Sequence, residues 1–296
     1  MPEPILTGFL KHLSLERGLS AHTCRSYGYD LKAYLKYISS RSIEPLEATA
    51  DALSDYVWHL SSVEKLKPRS VYRKMEALRS FYRFHLGEGR LSLDPTRDFK
   101  APHLQERIPR YLRLGEVERL MVAAQGEGFL KVRLSAALEL LYATGMRVSE
   151  LLKLEMDDIH ADQRWVRVMG KGKKERLVPI HDRANAALWR FVDVRRQKFD
   201  GRKVAREVFV SRRGTALSRA QLWKDLQKIS REAKISGRVY AHLFRHTFAS
   251  HLIQNGADLR AVQEMLGHAD LSTTQVYTHL EKSGLKTSHK KFHPKA

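Results

Sequence analysis

The chain has 296 residues, room for two domains of ordinary size, and 43% of them are hydrophobic, which excludes a disordered chain. No apolar run approaches the roughly 18 to 20 residues that a membrane span needs. Met1-Pro2-Glu3-Pro4 has no signal-peptide character, and the single cysteine, Cys24, excludes a disulfide framework and a cysteine-rich zinc site, so a cytoplasmic protein is expected. Charge points to a polyanion: 53 Lys and Arg against 33 Asp and Glu leave +20, of which residues 1–100, with 16 basic and 12 acidic, carry only +4. The excess is spread over structured segments rather than gathered in a tail, which favours nucleic acid over an anionic membrane surface.

In chain order, the first hundred residues predict a helical domain. Apolar spacing gives a helix over Ile5 to Arg17 stopped by Gly18, and a second capped by Ser20 and running through Tyr27, Leu31, Tyr34 and Leu35. A third lies near Ala50 to Leu60, and a fourth runs from Pro68 through Tyr72, Met75, Leu78 and Phe81 to Gly87, its aromatic residues reading as core. Residues 100–110, with two prolines and no apolar period, read as a basic linker.

A second domain starts near Tyr111. Helices are predicted over Leu114 to Ala124, Phe129 to Ala143 and from Val148 to no further than Met156. Trp165 to Val168 and Arg176 to Ile180, around a Gly-Lys-rich turn, form a hairpin. Helical segments follow at 183–198, 219–233, 242–255, 258–266 and 272–280. The basic tail from Lys286 has no apolar period and reads as mobile or docked on a partner, with Phe292 as its one anchor.

Four segments carry candidate chemistry. In Ala143-Thr144-Gly145-Met146-Arg147 the Thr-Gly pair separates two helices and puts Arg147 at a helix start, where outward N–H groups and a guanidinium fork suit an anion. Lys171 sits at the hairpin tip between glycines, with Lys173, Lys174 and Arg176 beside it as candidate DNA contacts; the phosphate-loop pattern of nucleotide-binding enzymes is absent. In His242-Leu243-Phe244-Arg245-His246, positions 242 and 245 share a helix face. His242 and His246 could begin a zinc site, but the glutamate of H-E-x-x-H is missing and no third ligand is evident, so no metal is expected. Finally, Tyr277 lies nine residues after His268, on a helix capped by Ser272 or Thr273.

Singly, each segment has an ordinary structural explanation: a surface arginine, a solvated hairpin, a packed tyrosine. Together they describe phosphoryl transfer without metal or other cofactor. Arg147 and Arg245 can neutralise the non-bridging oxygens of a phosphodiester, a histidine can take the tyrosine proton, and a hairpin lysine can protonate the leaving oxygen.

The motifs A-T-G-M-R-V-S-E-L, G-K-G-K-K-E-R-L-V-P, H-L-F-R-H-T-F-A-S-H and L-G-H-A-D-L-S-T-T-Q-V-Y-T-H resemble those of tyrosine recombinases, in particular the Xer recombinases. The likeness spans essentially the whole chain; Phe244 replaces the leucine common in Xer proteins. Asn255 to Arg260 and Ala269-Asp270-Leu271 lean toward the XerD branch. The resemblance implies a mainly α fold with a small β-sheet. An N-terminal SAM-like DNA-clamping domain (1–99) and a linker (100–110) would precede a tyrosine-recombinase catalytic domain (111–285) and a C-terminal tail (286–296).

By the same resemblance, Arg147, Lys171, His242, Arg245 and His268 are catalytic, Tyr277 is the nucleophile that forms a 3′-phosphotyrosyl link, and Glu150 supports the arginines. The implied partner is double-stranded DNA at a dif-like site, bound by a homo- or hetero-tetramer, with a second Xer recombinase and an activating DNA translocase as candidate partners. Alternatives are a phage or mobile-element integrase, a type IB topoisomerase and a non-catalytic DNA-binding protein.

Overall fold

In the computed structural model, residues 3–99, 110–160, 164–170, 175–267 and 287–295 are described. The chain forms two compact units, Met1–Arg107 and Ile108–Ala296.

The first unit is helical: α1 (Glu3–Leu15), α2 (Ala21–Ser39), α3 (Ala50–Trp58) and α4 (Pro68–Gly87). Its boundaries follow local chemistry. Ser20 accepts the Thr23 N–H at 3.1 Å and caps α2, Thr49 caps α3 through the Ala52 N–H, and Pro68 stands at the first turn of α4, where no N–H is needed. A single π turn, His59–Val63, extends α3. The buried faces meet in an aromatic core of Phe9, Tyr34, Tyr56, Phe81 and Tyr82, where the Tyr34 and Tyr82 hydroxyls share a hydrogen bond and Tyr82 donates to the Pro45 carbonyl at 2.8 Å.

The second unit is built on α6 (Phe129–Thr144), which is buried almost all round and packs against α5 (Leu114–Ala124), α8 (Asp182–Lys198) and α10 (Ala241–Gln254). Even Arg133 of α6 is enclosed, donating to the Val210 carbonyl and to Asp225 at 2.9 and 2.6 Å. After α7 (Val148–Leu152), β1 (Ile159–His160), β2 (Trp165–Met169) and β3 (Glu175–Pro179) form an antiparallel sheet in that order. Val166 pairs with Val178, and Val168 with Arg176. The predicted hairpin is present; β1 was not foreseen, because two residues are too few to show a period. α9 (Arg219–Glu232) and α11 (Leu259–Leu266) follow among the described residues.

The tail corrects the expectation drawn from its composition. Residues 287–295 pack on the second unit of the same chain, with His289 and His293 buried and facing the Ala143 and Tyr142 carbonyls at 2.7 and 3.2 Å. Their rings stack 4.8 Å apart, and the His181 ring lies 4.9 Å from that of His293. Phe292 does anchor: it packs beside the α10–α11 cluster, and its carbonyl accepts from Asn255. Imidazoles at helical spacing supplied the buried face that an apolar count overlooks. No helix among the described residues is long and apolar enough to cross a membrane.

Candidate active site

The site is assembled where α6, α7, α10 and α11 converge. Gly145 ends α6 in the left-handed conformation (φ 59°), and a Cβ there would lie 2.6 Å from the Phe248 ring and 2.8 Å from Leu266. Only glycine satisfies both the backbone and the space. Two residues on, Arg147 stands in extended conformation before α7. Its N–H donates to Glu150 Oε2 at 2.7 Å, so the carboxylate already occupies the helix start that the sequence suggested as an anion seat. What Arg147 offers outward is its side chain, 38% exposed, with one guanidinium nitrogen on Glu150 Oε1 at 2.9 Å and another on the Gly267 carbonyl at 3.3 Å.

Arg245 comes from the buried side of α10, at only 4% exposure. It donates to the Gly145 carbonyl at 3.0 Å and to the Leu266 carbonyl at 2.7 Å, which fixes the plane of its fork. Burial, reinforced by the charges of Arg147 and Arg176, lowers its pKa to about 10, so it stays a cation at neutral pH. Phe244, the departure from the Xer pattern, is fully buried beside it and is a packing residue.

His242 lies on the exposed side of α10, edge-on to His246 at 4.6 Å between ring centroids. Desolvation of its ring, then the charges of His246, Arg245 and Arg147, lower its pKa, so near neutral pH it is an uncharged imidazole able to accept a proton. Among the described residues no group of three His, Cys, Asp or Glu converges as a metal site.

Glu150 is buried between two arginines. Burial alone would raise its pKa, but the hydrogen bonds and charge of Arg176, ahead of those of Arg147, hold it below the usual carboxylate range. Arg176 corrects its sequence assignment. It is 6% exposed and turned inward, paired to Glu150 by two hydrogen bonds, where a DNA contact was expected. The missed signal is strand alternation: Arg176 shares a face with Val178, which points into the core. Sequence reasoning also missed the carbonyls at the end of α11, because backbone acceptors leave no mark in residue identity. Lys171, Lys173, Lys174, His268 and Tyr277 lie outside the described residues.

The model of the phage integrase family matches residues 110–283, and that of the phage integrase N-terminal SAM-like domain matches residues 6–89. The chain belongs to the phage integrase family. It is 42% identical to the tyrosine recombinase XerD of Halalkalibacterium halodurans over 298 residues, covering 98% of each chain, and 40% identical to that of Listeria innocua, covering 99% of each. In fold it is similar to the XerH site-specific recombinase bound to palindromic difH substrate in a post-cleavage complex, with a TM-score of 0.71 at 23% identity over 92% of this chain and 80% of that one. The family membership and the full-length XerD likeness make it a site-specific tyrosine recombinase, a DNA strand-exchange enzyme.

Proposed function

We propose that this recombinase resolves chromosome dimers at a dif-like DNA site, with Tyr277 as nucleophile and Arg147, Lys171, His242, Arg245 and His268 as the catalytic set. The observation that carries this reading is the pairing of Arg147 and Arg245, both oriented by backbone carbonyls, with a neutral His242 beside them.

The scissile phosphate gains negative charge as it becomes pentacoordinate, and two pre-oriented guanidiniums stabilise that charge more than they stabilise the ground state. A tyrosine hydroxyl ionises near pH ~10, so it needs a base at neutral pH; His242 takes its proton as the phenolic oxygen attacks phosphorus. The P–O5′ bond breaks, Lys171 protonates the departing 5′-oxygen, and the DNA 3′ end remains on Tyr277 as a phosphodiester. The 5′-hydroxyl of the partner duplex then attacks that link and releases the tyrosine. One P–O bond forms as another breaks at each step, so no nucleotide hydrolysis is required. His268 donates a hydrogen bond to the phosphate in this scheme. The enzyme works as a tetramer on two sites, of this chain alone or with a second Xer recombinase, and a DNA translocase is its candidate activator. Lys173 and Lys174 add phosphate contacts, making affinity steeply salt-dependent.

The test is incubation with a nicked duplex carrying the dif-like site of the source genome, alone and with a companion Xer recombinase. An SDS-resistant protein–DNA band with the unaltered chain that disappears in Tyr277→Phe is the expected result. A band that survives Tyr277→Phe overturns the assignment.

A further inference from the structure

α11 ends at Leu266, and Gly267 follows in the left-handed conformation (φ 66°), leaving the last carbonyls of the helix without helical partners. Three successive carbonyls there are each taken by a different arginine. Met265 O accepts from Arg176 Nε at 3.0 Å, Leu266 O from Arg245 at 2.7 Å and Gly267 O from Arg147 at 3.3 Å. A helix C-terminus carries partial negative charge, so it is a natural place to gather guanidiniums that would otherwise repel one another.

Two of these arginines belong to the proposed phosphate clamp; Arg176 differs. Its Nη1 and Nη2 reach Glu150 Oε1 and Oε2 at 3.1 and 2.8 Å, so with Nε on Met265 every nitrogen of the group is engaged inside the protein. The same two carboxylate oxygens hold Arg147, Oε1 through its side chain and Oε2 through its N–H. Space is tight as well: a Cβ on Gly267 would come within 3.1 Å of Arg176 Cδ.

We propose that Arg176 is a positioning residue for strand cleavage. By occupying the inner side of the Glu150 carboxylate, it limits that group to one side-chain bond with Arg147, and so leaves the Arg147 side chain partly exposed where a phosphate can reach it. By holding Met265 O, it ties β3 to the end of α11. Arginine is required because three coplanar donors meet a carboxylate and a carbonyl at once; a lysine keeps the charge but cannot satisfy both. The inference rests on the reading that Arg147 binds the scissile phosphate.

The experiment compares the unaltered chain, R176K, R176Q, E150Q and the E150Q/R176K double variant on the nicked duplex. Cleavage rate is read at saturating protein, DNA Kd is read separately in the same buffer, and thermal melting reports folding. R176K should slow saturating cleavage about ten- to a hundredfold, the scale of losing hydrogen bonds to charged groups, with Kd changed less than about threefold. The double variant should lose less than the product of the two single losses, because Arg176 acts through Glu150. An unchanged saturating rate, a loss confined to Kd, or fully multiplicative losses would overturn the proposal. R176Q, neutral but still able to donate hydrogen bonds, gives the same readings where R176K does not fold, and loss of folding in both contradicts a positioning role. Absence of adduct from the unaltered chain sinks the Tyr277 reading and this inference with it, whereas adduct formation with R176K at full rate sinks this inference alone.

Discussion

The N-terminal unit and the neighbourhood of the active site solve the same problem, joining helices, with different materials. In the first, rings meet rings: Phe81 packs edge-on to Phe9 at 5.6 Å and to His85 at 4.5 Å, and the polar tips of Tyr34 and Tyr82 satisfy each other. In the second, guanidiniums meet carbonyl and carboxylate oxygens, with Arg147, Arg176 and Arg245 spanning α6, α7, β3 and α11. Apolar packing is non-directional and tolerates adjustment, whereas a guanidinium fork fixes a plane and an angle. The difference shows where precision is concentrated: in the part of the molecule proposed to meet a phosphate.

Mutations should separate the two regimes. Arg245→Ala removes a fork proposed to face the phosphate and also frees two carbonyls, so single-turnover cleavage should fall by about a hundred- to a thousandfold or more. A rate within tenfold of the unaltered chain would break the comparison. Phe81→Ala should instead act on stability, at about 3–5 kcal/mol by denaturant unfolding, with the loss of amide-exchange protection concentrated in residues 3–99.

Acid sharpens the contrast at the tail. Burial lowers the pKa of His181 to about 3 and, together with the charges of His289 and His181, puts His293 well below 6.5; burial also lowers His289. Groups with depressed folded pKa values favour the docked tail fully above about pH 6.5, the unfolded value, and lose that contribution as pH falls from there toward about 3. Lys295 and Arg183 face the same cluster and oppose added positive charge, while Glu139 offsets part of it. Hydrogen exchange in residues 287–295 should therefore quicken between pH 6.5 and 4, after correction for intrinsic rates, and H293F should flatten that dependence. The smallest effect is Tyr82→Phe, which deletes the hydrogen bonds to Pro45 and to the buried Tyr34 hydroxyl and should cost about 1–3 kcal/mol with cleavage unaltered.

Much of the fold was legible in the sequence because the elements are punctuated by residues with one job. Ser20, Pro68 and Gly145 each mark a boundary that the structure places within a residue of its predicted position. The hairpin was legible for the same reason, as a Gly-rich turn between β-branched runs. The inward Arg176 and the tail were misread through a shared assumption, that basic and imidazole side chains face water. Arg176 is stabilised inside by Glu150, and His289 and His293 by backbone carbonyls, and such pairings are made across the fold rather than along the chain. Of the candidate catalytic residues, Arg147 and Arg245 both donate to carbonyls at the end of α11, which left no trace in residue identity, whereas His242 lies on the exposed side of α10 against His246.

The most direct test of the central claim is to digest the trapped protein–DNA adduct and map the modified peptide by mass spectrometry. The account predicts a nucleotide joined through its 3′-phosphate to Tyr277, with a free 5′-hydroxyl on the released strand. A link at another residue, or one through a 5′-phosphate, would contradict it.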